Sequence, residues 1–238
     1  MNREVYGLLI GALTLLSLLL PSELFILVVS LLSTLIAREL SMSLNTTGLH
    51  LASFLSPVAF YIDPSLGGVF TLFLGLSYGY LRWELDKFFR ATFILFYTGF
   101  LSSYLVRLRE EGITPLLILV LIVWTNDVVA YYFGKRFGKT PFLPKLSPNK
   151  TLEGFVAGLT AGSLLFVFIS GIPLLEAVLI AFLTLLAGVG GDYLKSFIKR
   201  QLGIKDFSSI LGGHGGFTDR FDALLMSAPV FYWLMFRI

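Results

Sequence analysis

Asp219 and Asp222 stand three residues apart, directly after the stretch Leu211-Gly212-Gly213-His214-Gly215-Gly216-Phe217-Thr218. On a helix that spacing puts the two carboxylates one turn apart on a single face. A helix N-terminus attracts anions, yet two adjacent carboxylates repel each other, and Arg220 is a single cation. A hard divalent ion such as Mg²⁺ resolves the conflict, because it takes oxygen ligands and is commonly held by one or two carboxylates plus substrate phosphates. Asp192, preceded by Gly188, Gly190 and Gly191, would bring a third carboxylate from a neighbouring helix that the glycines allow to approach closely. Asp192, Asp219 and Asp222 are therefore the candidate metal centre. The plainer alternative is that Asp219 caps its helix and pairs with Arg220. The four glycines around His214 can turn backbone N–H groups inward as an anion-binding nest, with His214 as a general base or as a hydrogen-bond donor to a phosphate.

Further cations and hydroxyls gather in the same half of the chain. Asp192, Ser196 and Lys199 fall at i, i+4 and i+7, on one helical face. Lys199 and Arg200 would also serve as an ordinary snorkelling helix end. A second loop carries Gly134, Gly138 and Lys139, followed by Ser147-Pro148-Asn149-Lys150. A hydroxyl and a lysine so close together suit an anionic ligand, or else the loop simply meets acidic lipid headgroups. Asp127 interrupts the apolar run from Val123 to Tyr131, where a carboxylate costs about 2.5–3.5 kcal/mol on insertion scales. It either faces the protein interior with a task there or pairs with a loop lysine at the helix end. These residues together point to a magnesium-dependent reaction on a phosphorylated substrate at the inner membrane surface.

The elements that position them must be membrane helices. Of the 238 residues, 56% are hydrophobic and 14% charged, and the mean hydropathy is +0.84. Soluble domains are about 25% charged, so a water-exposed surface could not be covered, and disorder is excluded by the supply of apolar residues. With no cysteine and only two histidines, disulfides, thiolate zinc sites and histidine-rich metal sites are ruled out. A formal net charge of +3 is too small to imply nucleic acid. Apolar runs separated by charge and Pro/Gly breaks predict nine helices, near 5–20, 24–37, 49–62, 67–81, 88–106, 113–133, 155–172, 177–194 and 221–236. The third and fourth form a tight hairpin or a re-entrant segment. The first follows Arg3 and lacks a small-residue cleavage site, so it reads as a retained helix. With the N-terminus in the cytoplasm, 15 of the 18 Lys and Arg residues fall on the inner side, as the positive-inside rule requires. Arg107, Arg109 and Arg237 are the exceptions. The expectation is an all-α polytopic membrane protein of about nine transmembrane helices. Residues 1–112 form the N-terminal helices, and 113–238 a catalytic region with cytoplasmic loops 134–154 and 199–219.

The stretch Ser196, Lys199-Arg200, Lys205-Asp206, His214-Gly215-Gly216, Asp219-Arg220 and Asp222 resembles the signature of the phosphatidate cytidylyltransferase (CDP-diacylglycerol synthase) family, spacing included. Asp127 to Gly138 and Ser147 to Gly154 are similar to two further blocks of that family, so the resemblance covers residues 124–222. Gly212 stands where many members have Pro, and the chain is shorter than typical bacterial members. The resemblance implies a nucleotidyltransferase of phospholipid biosynthesis that converts CTP and phosphatidate to CDP-diacylglycerol and pyrophosphate. It also implies Mg²⁺ dependence with a second cation left open, a homodimer, and residence in a bacterial inner membrane. Carried over by position, Asp192, Asp219 and Asp222 are the metal-binding and catalytic acids, with Lys199, Arg200 and His214 as catalytic residues beside them. Asp127, Lys139, Ser147, Lys150, Ser196, Lys205, Asp206, Gly215, Gly216 and Arg220 would line the substrate site. Another membrane CTP-using transferase, such as a polyprenol kinase or a CDP-archaeol synthase, lacks the complete block. A secondary transporter would place its carboxylates near the bilayer midplane in interrupted helices.

Overall fold

A computed structural model describes residues 3–211 and 215–237. His214, with Gly212 and Gly213, lies outside the described residues. Among the described residues there are nine helices and no strand: α1 (Arg3–Leu18), α2 (Ser22–Ser43), α3 (His50–Ile62), α4 (Pro64–Arg82), α5 (Leu85–Glu110), α6 (Ile113–Phe137), α7 (Leu152–Ser170), α8 (Leu174–Leu202) and α9 (Thr218–Phe236). Five of them, α2, α5, α6, α7 and α8, are long and apolar enough to cross a membrane. The protein is an all-α polytopic membrane protein.

Helices α2 and α8 run well past the ends expected from sequence, to Ser43 and Leu202. Both expected ends lay at charged residues, Arg38-Glu39 and Lys195. A charge ends an apolar run but not a hydrogen-bonded helix, provided that the side chain finds a partner. Glu39 and Lys195 each find one, as described below. The pair α3 and α4 is the tight hairpin: Asp63 caps α4 by accepting from the Leu66 N–H at 2.9 Å, and Pro64 fills the first position of the helix.

The chain divides into two compact units, 1–113 with 204–221, and 114–203 with 222–238. In the first unit α5 is the central helix, packed against α2, α3 and α4. Its buried face includes Ile94, Leu95, Thr98, Ser102 and Leu105. Small hydroxyl residues knit it to its neighbours: Ser33 Oγ donates to the Thr98 carbonyl at 2.8 Å, and Ser56 Oγ to the Leu95 carbonyl at 2.9 Å. Without a hydrophobic drive between helices in lipid, such close contacts and hydrogen bonds carry the association. Gly99 permits the approach, since a side chain there would overlap Ser56.

The two outer arginines of α5 have a structural explanation. Arg109 donates to the Leu18 and Leu20 carbonyls at 3.0 and 2.7 Å, and Arg107 to the Phe60 and Tyr61 carbonyls at 3.1 and 2.9 Å. They satisfy the orphan carbonyls at the C-terminal ends of α1 and α3. Their place on the outer side of the expected topology thus serves packing and does not compete with the inner positive charge.

In the second unit α7 packs against α8. The α9 residue Ser227 donates to the Thr184 carbonyl at 3.0 Å. The loop between α6 and α7 closes on itself: Phe142 N–H donates to the Lys150 carbonyl at 2.8 Å and Leu152 N–H to the Thr140 carbonyl at 2.9 Å. Glu153 receives the Lys139 and Thr140 N–H groups at 3.1 Å each, and the Thr140 hydroxyl at 2.9 Å. The loop is thereby a rigid mount for Lys150.

Candidate active site

Within the second unit, Lys150, Asp192, Lys195 and Asp222 form a row of alternating charge. Lys195 Nζ lies 2.8 Å from Asp192 Oδ1 and 2.7 Å from Asp222 Oδ2, and Lys150 pairs with Asp192 Oδ2. The side chains of Lys195 and Asp222 are only 10% and 5% exposed. Charges this deep are retained only when opposite charge is in contact, because an unpaired ion loses several kcal/mol of solvation. Both Oδ2 atoms are sealed from solvent and face ammonium groups. The Lys150 ammonium also sits over the Tyr193 ring, 4.9 Å from its centre. Burial, then the Lys195 charge, bring its pKa down to about 8, while Asp127 and Asp222 pull it back up.

Three local features build this row. Asp192 and Lys195 are three residues apart on α8, so they meet across one turn. Gly191 lets α9 come close, since a Cβ there would sit 2.5 Å from the Asp222 carbonyl. Phe142, stacked on Phe155 at 4.5 Å and set edge-on to Tyr193 at 5.6 Å, seats the loop that ends at Lys150. Arg200 Nε holds the same loop through the Leu146 carbonyl at 3.1 Å.

A different carboxylate arrangement occupies the first unit. Asp219 Oδ2 receives the N–H groups of Phe207 and Gly216 at 3.2 and 3.1 Å. Glu39, 1% exposed on α2, receives the Phe217 and Thr218 N–H groups at 2.9 and 2.8 Å. It also takes the Thr218 hydroxyl at 2.8 Å and the Ser208 hydroxyl at 2.6 Å. Gly216 is tight against it, and any side chain at that position would collide with the Glu39 carboxylate. Gly215 adopts a φ of +77°, which favours glycine. The anion expected at the N-terminus of α9 is thus the chain's own Glu39. Of the glycines around His214 expected to form an anion nest, Gly216 gives its N–H to Asp219, and the Phe217 and Thr218 N–H groups that follow are taken by Glu39.

The remaining expected site residues are dispersed. In the second unit, Asp127 accepts from the Asn126 amide at 3.0 Å and influences Lys150 through its charge. Ser196 and Lys199 are half-buried on α8, whereas Lys139 is exposed and is held through its backbone. The Ser147 carbonyl accepts from the Lys150 N–H at 3.2 Å. In the first unit, Lys205, Asp206 and Arg220 are exposed. Among the described residues, no group of three or more His, Asp or Glu is gathered so as to hold a metal ion. Of the three acids expected from sequence, Asp192 and Asp222 lie in the second unit and share Lys195, and Asp219 lies in the first. As all-oxygen donors without a neutral ligand, these two fit a hard cation such as Mg²⁺, which needs no more than two carboxylates when phosphates complete its shell.

Two residues escaped the sequence reading. Lys195 stands at i+3 from Asp192, a spacing that marks a helical ion pair, and it was counted only as a positive-inside charge. Glu39 carried no local signal.

Residues 1–238 match the sequence model of the Cytidylyltransferase family. The chain belongs to this family. Over 236 residues it is 50% identical to the phosphatidate cytidylyltransferase of Aquifex aeolicus, covering 99% of this chain and 91% of that one. It is 37% identical over 174 residues to the phosphatidate cytidylyltransferase of Staphylococcus saprophyticus, covering 70% and 67%. To that of Bacillus subtilis it is 33% identical over 178 residues, covering 70% and 66%. A cytidylyltransferase has to bring together highly anionic phosphates, and a partly buried row of two ammonium groups and two carboxylates is suited to that task.

Proposed function

We propose that this cytidylyltransferase transfers the cytidylyl group of CTP to phosphatidate, giving CDP-diacylglycerol and pyrophosphate. The observation that carries the reading is the partly buried row Lys150–Asp192–Lys195–Asp222, in a chain with half its residues identical to a phosphatidate cytidylyltransferase along almost its whole length. A phosphate oxygen of phosphatidate attacks the α-phosphorus of CTP. The bond from that phosphorus to the bridging oxygen of the β-phosphate breaks, and pyrophosphate leaves with the electron pair. The attacking phosphate is largely ionised at neutral pH, with its second pKa near 6, so no side chain need remove a proton. Lys150 and Lys195 offset the repulsion between the two polyanions, from backbone positions that the loop between α6 and α7 and helix α8 fix in advance.

Asp192 and Asp222 would hold Mg²⁺, which would supply positive charge to offset the negative charge of the reacting phosphates. Asp219 ties Phe207 to Gly216. CTP is water-soluble and the lipid tails are not, so the row lies at the cytoplasmic edge of the cell membrane with the N-terminus inside, where 15 of 18 basic residues would face. The relatives favour this reading over another CTP-using membrane transferase. The family resemblance adds a homodimer to it.

The test supplies purified protein with labelled CTP, phosphatidate and Mg²⁺. A labelled, lipid-soluble cytidine product and released pyrophosphate are expected. Folded protein that yields neither overturns the proposal. Orientation is checked separately in sealed vesicles with Lys150→Cys, since the chain has no cysteine of its own. Reaction from the cytoplasmic face alone is the expected result.

A further inference from the structure

We infer that Glu39 is a positioning residue for the cytidylyl transfer, acting from α2 through Ser208, Phe217 and Thr218 on the first turn of α9. The inference rests on the function proposed above. Glu39 lies 169 residues or more from every group it binds, and it takes both free N–H groups at the start of α9 together with two hydroxyls. A buried carboxylate is tolerated only when its acceptor sites are filled, and here four donors fill them. The bonds are charge-assisted and come from two directions, so they fix the helix start in rotation as well as in position. Local capping by a Ser or Asp at the helix start would satisfy one N–H; a carboxylate reaching in from another helix satisfies two and ties them to α2.

The consequence follows from where that helix start leads. Asp219 is the next residue after Thr218, and Asp222 follows one turn later on the same helix. Asp219 in turn holds Phe207 and Gly216 N–H. Two acidic side chains thus clamp the segment at Phe207–Ser208 and at Gly216–Thr218. Glu39 touches no reacting atom in this scheme. Its contribution is the placement of Asp222 on α9, and a shift of about 1 Å in such a group can cost about 100-fold in rate.

The experiment compares wild type, Glu39→Gln and Glu39→Asp in the full chain, reading steady-state kinetics and amide hydrogen exchange. In Glu39→Gln one amide N–H must face a backbone N–H, so the clamp loosens while side-chain volume is kept. We expect faster exchange at residues 216–218, a fall in kcat of about tenfold or more, and a KM for CTP within twofold of wild type. Glu39→Asp, which keeps the charge on a shorter arm, recovers part of kcat. Should Glu39→Gln fail to fold, Ser208→Ala removes one of the four donors and shows the same pattern to a smaller degree. Unchanged exchange at 216–218, or loosened exchange with wild-type kcat, overturns the inference. So does a fall in activity that only tracks a smaller folded fraction. A wild type that forms no lipid-soluble cytidine product would instead sink the functional reading, and the exchange result would still report on the clamp.

Discussion

The two units each bury a pair of acids and solve the problem differently. In the first, Glu39 and Asp219 are satisfied by backbone N–H groups and hydroxyls. In the second, Asp192 and Asp222 are balanced by lysine ammonium groups. A backbone N–H cannot leave its helix or loop, so a carboxylate bound to it becomes part of the scaffold. A lysine head on a four-carbon stem can swing to a phosphate, freeing the carboxylate for a cation. The difference separates acids that hold the shape from acids that can change partners during a reaction.

The comparison can be broken at several points. The largest effect is expected from Asp222→Asn, and equally from Asp192→Asn. Each should lower kcat at least about 10²–10³-fold, with amide exchange at 216–218 unchanged. Asp219→Asn should also abolish turnover but with faster exchange at Phe207 and Gly216; identical exchange in the two variants would erase the distinction. Next, Lys195→Met takes from Asp222 its ammonium partner and leaves Asp192 with Lys150 alone. A loss of roughly 3–5 kcal/mol in stability is expected, partly restored when Asp192 is also changed to Asn. Thermal unfolding in detergent measures it, and additive effects of the two substitutions would deny the pairing.

Smaller effects come from the close approaches. Gly216→Ala should destabilise by about 1–3 kcal/mol through overlap with Glu39, and the loss should shrink in a Glu39→Ala background. The smallest effect is a titration. In chelator, with no divalent cation present, Lys150 should acylate with a pH midpoint near 8. Its burial disfavours the charged form, so the ammonium is present below that pH and the reactive amine above it. A midpoint in the ordinary lysine range, about 10.4, would show that Lys150 is not enclosed as described.

Much of the architecture was legible because lipid imposes one rule on every segment. Backbone groups must bond within the helix, so long apolar runs have one outcome and the nine helices fall close to where hydropathy places them. Their ends were less legible. Arg38-Glu39 and Lys195 read as stops because a charge next to apolar residues implies water, whereas each is met by a partner. The same error hid the pairing of Lys195, although its i+3 relation to Asp192 was available. After the glycine-rich loop, the N–H groups of Gly216, Phe217 and Thr218 are taken by the chain's own acids, which no local pattern announces.

Residue types and spacing alone determined that the chain is helical and membrane-spanning, and they singled out Asp192, Asp219 and Asp222 as acids that each need a partner. These are local properties: helical period, apolar length and the cost of a charge in lipid act on neighbours along the chain. Only the tertiary structure decided which cation balances which acid, and that Glu39 caps α9. Such pairings join residues up to 179 positions apart, and no periodicity links them. A buried charge states that it needs a partner, and only the folded chain can name it.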